Sequence, residues 1–531
     1  MDQKRLIIAV VLSVLIVLGF QKFVKPPVRN VAAVRIDQAT RPISQTSETT
    51  ATFAEPQKTK RISSDEIETV AETDKYLLIF SNIGGTLKSI ELKEYDTAII
   101  KNLEPPVSIF SMISKELDPD MAFGEWNLSE GQGRITYTYQ TPRKIQITKE
   151  YLFHNTTDYI ELRIVIDNLS DASVATDYSI IGPSGLEQAS SMRGRNFLEF
   201  NGKVNGTIMR KSRIKGDQLD IGGIISWIAL KNRYFTLVLV PPPAADELFI
   251  RQVGDKLTTG LRMKARTIGS RSVIQDKYVF YIGPLIKKRL AALGLGIDEV
   301  VNFGFFGAIS IVLLTILRGI HSVVRNWGVA IIGVTFLINL LMFPLTRKSF
   351  RSMQSMQELQ PHMEKLRKLH KDNPQKLNQE MVALYRQYNV NPFGGCLPML
   401  LQLPIFFAFY QTLLRSIELK NASFLWIKDL SAPDALFSFP QALPFIGQNF
   451  NLLPLLTVAV MVFQQRVSTA HGGPAGESEM AKQQKFMALF MPLFFGIILY
   501  NFPSGLVLYW LTNSSLMMGE QLLIKKHMKA S

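Results

Sequence analysis

The sequence predicts a multi-domain membrane protein: an N-terminal transmembrane (TM) anchor, an external antiparallel β-sandwich, and a five-helix α-helical membrane core carrying a cytoplasmic helical hairpin. Three observations predict it. The 531 residues, 47% hydrophobic overall, divide into a polar stretch from 27 to 284 and a mostly apolar one from 300 to 524. The apolar part breaks into runs at 303–317, 327–345, 393–414, 452–463, 486–502 and 505–524, several of which approach the roughly 17 to 25 residues that a spanning helix needs. The polar part alternates apolar and polar residues with period two, the mark of half-buried strands.

In chain order, Leu6 to Phe20 follows Met1-Asp2-Gln3-Lys4-Arg5 and is followed by no small-x-small cleavage pattern, so residues 1–26 read as an uncleaved anchor. Residues 27–65 are rich in Thr, Ser, Gln, Ala and Lys without a period, as a flexible linker is. Residues 66–284 carry the alternation: Ile135, Tyr137 and Tyr139; Ile145, Ile147, Tyr151 and Phe153; Ile160, Leu162, Ile164 and Ile166. Breaks at Gly84-Gly85, Asn155-Thr156-Thr157 and Asp167-Asn168 separate the strands of a sandwich. The one cysteine, Cys396, excludes an intrachain disulfide, so this domain must be held by its own core. It offers no specific chemistry: His154 reads as a solvated loop residue, and the Asn-x-Thr/Ser triplets at Asn127, Asn155 and Asn205 are of a kind that arises often by chance.

Residues 285–326 read as interfacial amphipathic helices, from Lys287-Lys288-Arg289 beside leucines and from the run 303–317 between Asp298-Glu299 and Arg318. Residues 327–531 form the five-TM core. Its loop 347–391 holds nine Lys and Arg against four Asp and Glu, which places it in the cytoplasm. With both chain ends inside, the number of crossings must be even, and leaving 303–317 in the interface satisfies this. Within the loop, Met356, Leu359, Met363 and Leu366, then a break at Asp372-Asn373-Pro374, then Leu377, Met381, Leu384 and Tyr388 predict a helical hairpin with its first arm bent at Pro361. The net charge of +15 clusters partly in such loops, so anionic lipid is a more general partner than nucleic acid, with ribosomal RNA left open for the basic loop.

Polar residues inside the apolar runs carry the functional reading. Asn339, Gln402 and Thr512-Asn513-Ser514-Ser515 lie where hydrocarbon cannot solvate them. Thr335 and Asn339 share a helix face, as do Tyr509 and Asn513. Taken singly, each reads as interhelical glue; taken as a set they point to a shared wet interior that admits something polar. No nucleotide-binding Gly-x-x-x-x-Gly-Lys, His-Glu-x-x-His or nucleophile-elbow motif occurs.

The stretches Ile320-His321-Ser322-Val323-Val324-Arg325-Asn326-Trp327-Gly328, Phe343-Pro344-Leu345-Thr346, Asn391-Pro392-Phe393-Gly394-Gly395-Cys396-Leu397-Pro398, Leu425-Trp426-Ile427-Lys428-Asp429-Leu430 and Asn501-Phe502-Pro503-Ser504-Gly505-Leu506-Val507-Leu508-Tyr509 closely resemble the YidC family of bacterial membrane-protein insertases. The resemblance covers nearly the whole chain and is strongest from 320 to 525. It implies an insertase and folding chaperone in the inner membrane of a Gram-negative bacterium, acting alone or with the Sec translocon, with a periplasmic β-domain and both termini cytoplasmic. It also implies a hydrophilic groove among the core helices, open to cytoplasm and lipid. No enzymatic chemistry, cofactor or metal is implied.

Thr335 and Trp510 fall at substrate-contacting positions of the family. With them, Asn339, Gln402, Tyr509, Thr512, Asn513 and Ser515 are expected to line the groove, and Phe406, Phe407, Met487, Phe490, Met491 and Phe494 to form a hydrophobic slide. Nascent membrane proteins would be the substrates, and ribosomes or the signal recognition particle machinery would meet the hairpin and basic tail. At Asn339 the chain departs from the family, since many members have Arg there. A neutral amide offers hydrogen bonds but no fixed charge, so wetting and local thinning of the barrier are expected to do the work. A solute transporter using the same cavity, or a purely structural scaffold, are the alternatives from other classes.

Overall fold

The structure, a computed structural model, describes residues 66–530 except 155–156, 188–196, 215, 254–255, 372, 389, 391–396, 444–446 and 470–478. The expected anchor (1–26) and linker (27–65) lie outside the described residues.

The alternating segments pair into antiparallel sheets. Among the described residues the largest has nine strands, ordered Thr207–Lys211, Glu199–Val204, Ile225–Lys231, Phe235–Val240, Val273–Pro284, Tyr159–Asn168, Ile145–Phe153, Arg134–Gln140 and Asn127–Gly131. Against it pack a five-stranded sheet that includes Ser179–Ser184, Ala245–Val253 and Lys256–Met263, and a four-stranded meander from Glu68 to Ile100. One core joins all three: Leu78 and Phe80, Ile180 and Leu261, and Tyr151, Leu162 and Leu237 are each essentially inaccessible. Period-two strands bury one face in this way because successive side chains point to opposite sides.

One inward position breaks the apolar pattern. Ile145, Ile147 and Tyr151 face the core, so Lys149 between them must do the same, and it is fully buried. Its ammonium donates to the carbonyls of Gly84 and Phe110, both at 2.7 Å, and lies 4.5 Å above the Trp126 ring. The Gly84-Gly85 turn brings the first of these oxygens within reach. Both glycines have positive φ (+69° and +55°), and a Cβ on Gly85 would sit 2.9 Å from that of Tyr137, so no larger residue fits.

The chain leaves the sheet through α1 (Lys287–Ala291). From sequence, Leu285 to Leu295 reads as a membrane-surface helix; instead Leu290, Ile297 and Val300 are completely buried against Trp227, Ala229, Val238 and Tyr281. The leucines of this segment are drawn to the sheet's apolar outer face, and Lys287 and Lys288 stay exposed.

The helical region then begins with α2 (Gly307–Val324) and α3 (Trp327–Glu358). By length and composition these are the two described helices long and apolar enough to cross a membrane. The run expected to be interfacial at 303–317 is thus a helix that starts later and extends to Val324. Helix α3 continues without a break through Pro344 into the basic loop. There α4 (Gln360–Leu369) and α5 (Pro374–Gln387) fold back on one another. Leu359, Met363 and Leu384 form their small core with Met356, Leu366, Met381 and Tyr385 against it. Pro361 sits in the first turn of α4, so the arm breaks there instead of bending, and Tyr385 takes the packing position expected of Tyr388, which is 47% exposed. Beyond lie α6 (Leu397–Arg415), α7 (Leu452–Thr469), α8 (Glu479–Leu499) and α9 (Ser504–Ala530). Pro404 lies within a continuous α6 and does not open it.

Sandwich and helices meet at Arg233, in the turn between two central strands. The side chain is buried (6% exposed) and flanked by the Tyr234 ring at 4.7 Å. Its Nε donates to the Leu414 carbonyl at 2.5 Å, at the end of α6, and its Nη2 to the Ser431 carbonyl at 3.3 Å. A cation is well placed at a helix C-terminus, where carbonyls lack intrahelical donors. Beside it Ile417 inserts into the sandwich core, and Lys420 Nζ donates to Thr97 Oγ1 at 2.6 Å.

Replacing Arg233 by Met should leave both carbonyls unsatisfied, at a cost of about 1–3 kcal/mol each. Faster hydrogen exchange over 414–431, with the sandwich strands unchanged, is the expected readout. A second outcome concerns pH. Burial pushes the Lys231 ammonium down to about 8, opposed by Glu199, and pushes Lys149 well down. Above pH 8 the unfolded chain therefore binds more protons than the folded one, and stability rises with pH. Above about 10 it falls again, because Tyr76, Tyr151 and Tyr278, held neutral by burial, ionise only when unfolded. Exchange protection of the strand Ile225–Lys231, corrected for intrinsic rates, should follow this rise and fall, with a shallower rise in Lys231→Met.

Candidate functional site

The amides set within the apolar helices converge on one atom. Asn339 on α3 and Gln402 on α6 both donate to Asn513 Oδ1 on α9, at 3.0 and 3.3 Å. Gln402 Nε2 also donates to the Tyr509 hydroxyl at 3.0 Å, and Asn339 Nδ2 to its own helix at the Thr335 carbonyl, 2.9 Å away. The helical repeat prepares this: Tyr509 and Asn513 are one turn apart, so both face the same neighbours. Asn339 is 7% and Tyr509 2% exposed, while Gln402 and Asn513 are half-buried. No hydrogen bond among the described residues reaches Asn339 Oδ1 or Gln402 Oε1. Two acceptors therefore remain for a polar visitor.

Helix α9 is held at its start by a loop. Ser504 and Gly505 donate their backbone N–H groups to the carbonyls of Ala432 and Leu430, at 2.7 and 2.9 Å, and Ser504 Oγ donates to the Asp429 carbonyl. These are amides that a helix N-terminus otherwise leaves unpaired. Ser431, in the same loop, receives Arg233. The sandwich thus fixes the ends of both helices that bring Gln402 and Asn513 together.

The remaining expected groove residues divide. Thr335 is completely buried and its hydroxyl returns to the Ile331 carbonyl at 2.7 Å; it is sealed against its own helix and lines nothing. Thr512 and Ser515 are half-buried and likewise bond their own helix, at Leu508 and Leu511. A hydroxyl can satisfy itself four residues back, whereas an amide has donors and acceptors to spare. Trp510 turns to the apolar side, edge-on to Phe406 at 4.9 Å and 5.3 Å from Phe495.

The expected slide residues also fall into two groups. Phe406 packs inward on Tyr509 and Trp510, with Phe407 beside it at 37% exposure. On α8, Phe490 and Phe494 stack at 5.8 Å, and Phe486, 52% exposed, extends the ladder with a further 5.3 Å step. Met491 is half-buried; the Met487 side chain lies outside the described residues. Phe486 belongs to this row by its four-residue spacing, a signal the sequence carried.

Charge is nearly absent. Among the described residues no group of His, Cys, Asp or Glu is placed to hold a metal ion. Uncharged amides, held by hydrogen bonds and bordered by aromatic rings, can solvate a peptide group or a polar side chain in transit.

A large antiparallel sandwich docked on apolar helices that enclose hydrogen-bonding amides defines a membrane protein with a substantial domain outside the bilayer. Two family models divide the chain in the same way: the YidC periplasmic domain matches residues 68–316, and the 60Kd inner membrane protein model matches 319–531. The membrane protein insertase YidC of Syntrophus aciditrophicus is 30% identical over 99% of this chain and 100% of its own length. That of Endomicrobium trichonymphae is 33% identical, covering 86% of this chain and 84% of its own. A crystal structure of an active YidC insertase is similar over 85% of this chain and 91% of its own, at 18% identity and a TM-score of 0.36. The chain belongs to the YidC family of membrane protein insertases, and its sandwich is the family's periplasmic domain.

Asn513 should be the least replaceable member of the cluster. Asn513→Leu removes the acceptor shared by one buried and one half-buried amide and is expected to cost about 2–4 kcal/mol, more than Gln402→Leu, which leaves Asn339 bonded. Unfolding in detergent of both single variants and the double variant measures this. The double should be less destabilised than the sum of the singles.

Proposed function

We propose that this protein inserts nascent membrane proteins into the inner membrane and assists their folding, with no covalent step. The observation that carries the reading is the three-helix amide cluster with its two open acceptors, Asn339 Oδ1 and Gln402 Oε1. A short polar segment of a nascent chain enters beside these groups while its apolar helix passes along the Phe486–Phe490–Phe494 row, whose outer end at Phe486 is exposed. Moving a charge across intact hydrocarbon costs several kcal/mol; hydrogen-bonding groups placed part-way shorten the dry path. Since Asn339 replaces the family's common Arg, attraction of acidic tails by a groove cation has no part in this reading.

The partners follow from surfaces. Lys365, Arg367, Lys368 and Lys371 are exposed on the hairpin, which suits a ribosome or signal recognition particle contact, and also anionic lipid headgroups. This reading keeps the hairpin and both termini in the cytoplasm and α2 in the interface. Cooperation with the Sec translocon belongs to it through the family and the periplasmic domain.

The test is depletion of the protein, followed by protease accessibility of a single-span substrate with an acidic external tail, with rescue by wild type, Asn339→Arg or Asn339→Leu. Failed translocation on depletion, rescue by wild type and Asn339→Arg, and about fivefold weaker rescue by Asn339→Leu are expected, the loss of the one hydrogen bond that Asn339 Oδ1 offers to a backbone N–H of the entering segment. Unchanged translocation on depletion for several substrates would overturn the reading.

A further inference from the structure

One acidic residue lies on the helix face that carries Asn513. In the stretches that supply the cluster, 327–346, 397–414 and 504–524, Glu520 is the only Asp, Glu, Lys or Arg. It lies seven residues beyond Asn513 on α9, so it returns to within about 20° of the same face, about 10 Å further along the helix. Its Oε2 is buried and has no hydrogen-bond partner. A Cβ on Gly519 would meet nothing within 4 Å, so the helix borders unfilled space there. Between the two positions, Asn513 Nδ2 finds only the Met517 sulfur at 3.6 Å, a weak acceptor. The line from Tyr509 through Asn513 to Glu520 is thus a polar track that ends in an unpaired carboxylate.

We propose that Glu520 is a specificity-determining residue that receives a lysine or arginine side chain of the entering substrate segment, so that this groove favours basic tails over acidic ones. The proposal rests on the insertase reading. A carboxylate withdrawn from water without a partner is costly, and a cation brought beside it offsets that cost. An incoming aspartate or glutamate meets the same carboxylate as repulsion. With Asn at position 339, no cation on the track counters this preference. Arg347 and Lys348, the next cations on α3, are exposed.

The full chain in vesicles, without an imposed membrane potential, tests this with three single-span substrates identical except for a short tail bearing two Lys, two Gln or two Asp. Protease protection reads the translocated fraction. Wild type should translocate the Lys tail about tenfold better than the Asp tail, the size of one charge-assisted hydrogen bond. In Glu520→Gln the Lys-to-Gln ratio should fall to about one, and Glu520→Lys should reverse the order of Lys and Asp. Equal translocation of Lys and Asp tails by wild type, or an equal change for all three tails in Glu520→Gln, overturns the proposal and leaves insertion standing. If no tail is translocated above empty vesicles, the insertase reading fails and takes the proposal with it.

Discussion

The guanidinium of Arg233 is the point at which the molecule is tied together. It offers one donor to the last turn of α6 and another to the loop that starts α9. A charge removed from water is tolerable only where oxygens replace the water, and here the oxygens belong to two segments that must be held at a set separation. Helix α6 carries Gln402 and α9 carries Asn513, whose amides meet at 3.3 Å. The geometry of the amide cluster is therefore set partly from outside the helices, by a turn of the β-domain. The same rule, that a buried donor must find an oxygen, acts on Lys149 within the sandwich and on Asn339 within the helices.

The β-domain and the helical region were legible in the sequence because each has its own period. Alternation in Ile160 to Ile166 and the long apolar runs after 300 are local signals. What was not legible depends on where an element is placed. Lys149 has a polar letter at an inward position, and only the carbonyls of Gly84 and Phe110, distant in sequence, explain why it is tolerated there. The segment 285–301 is amphipathic, and amphipathicity does not say whether its apolar face meets lipid or a sheet; Leu290 and Val300 chose the sheet.

The candidate site divides along similar lines. Asn339, Gln402, Tyr509 and Asn513 stood out as polar letters in apolar runs, and all four meet. Thr335, Thr512 and Ser515 stood out equally but bond their own helices, since a hydroxyl four residues from a carbonyl needs no neighbour. Glu520 drew no notice because it sits near the end of a run, where a charge is unremarked. Arg233 was invisible because its partners are 181 and 198 residues away.

Helix α3 joins the amide cluster to the basic hairpin as one element of 32 residues. From Asn339 to its end at Glu358 is about 28 Å at the ordinary rise per residue. A hydrogen-bonded rod of this length transmits push and twist along its axis, but at Pro344 one rung of the ladder is missing, and bending is easiest there. A load applied at the hairpin therefore arrives at Asn339 chiefly as axial thrust and torque, while sideways motion is absorbed at the proline. The helix behaves as a drive shaft with a universal joint, insulating the amide cluster from lateral sway of the hairpin.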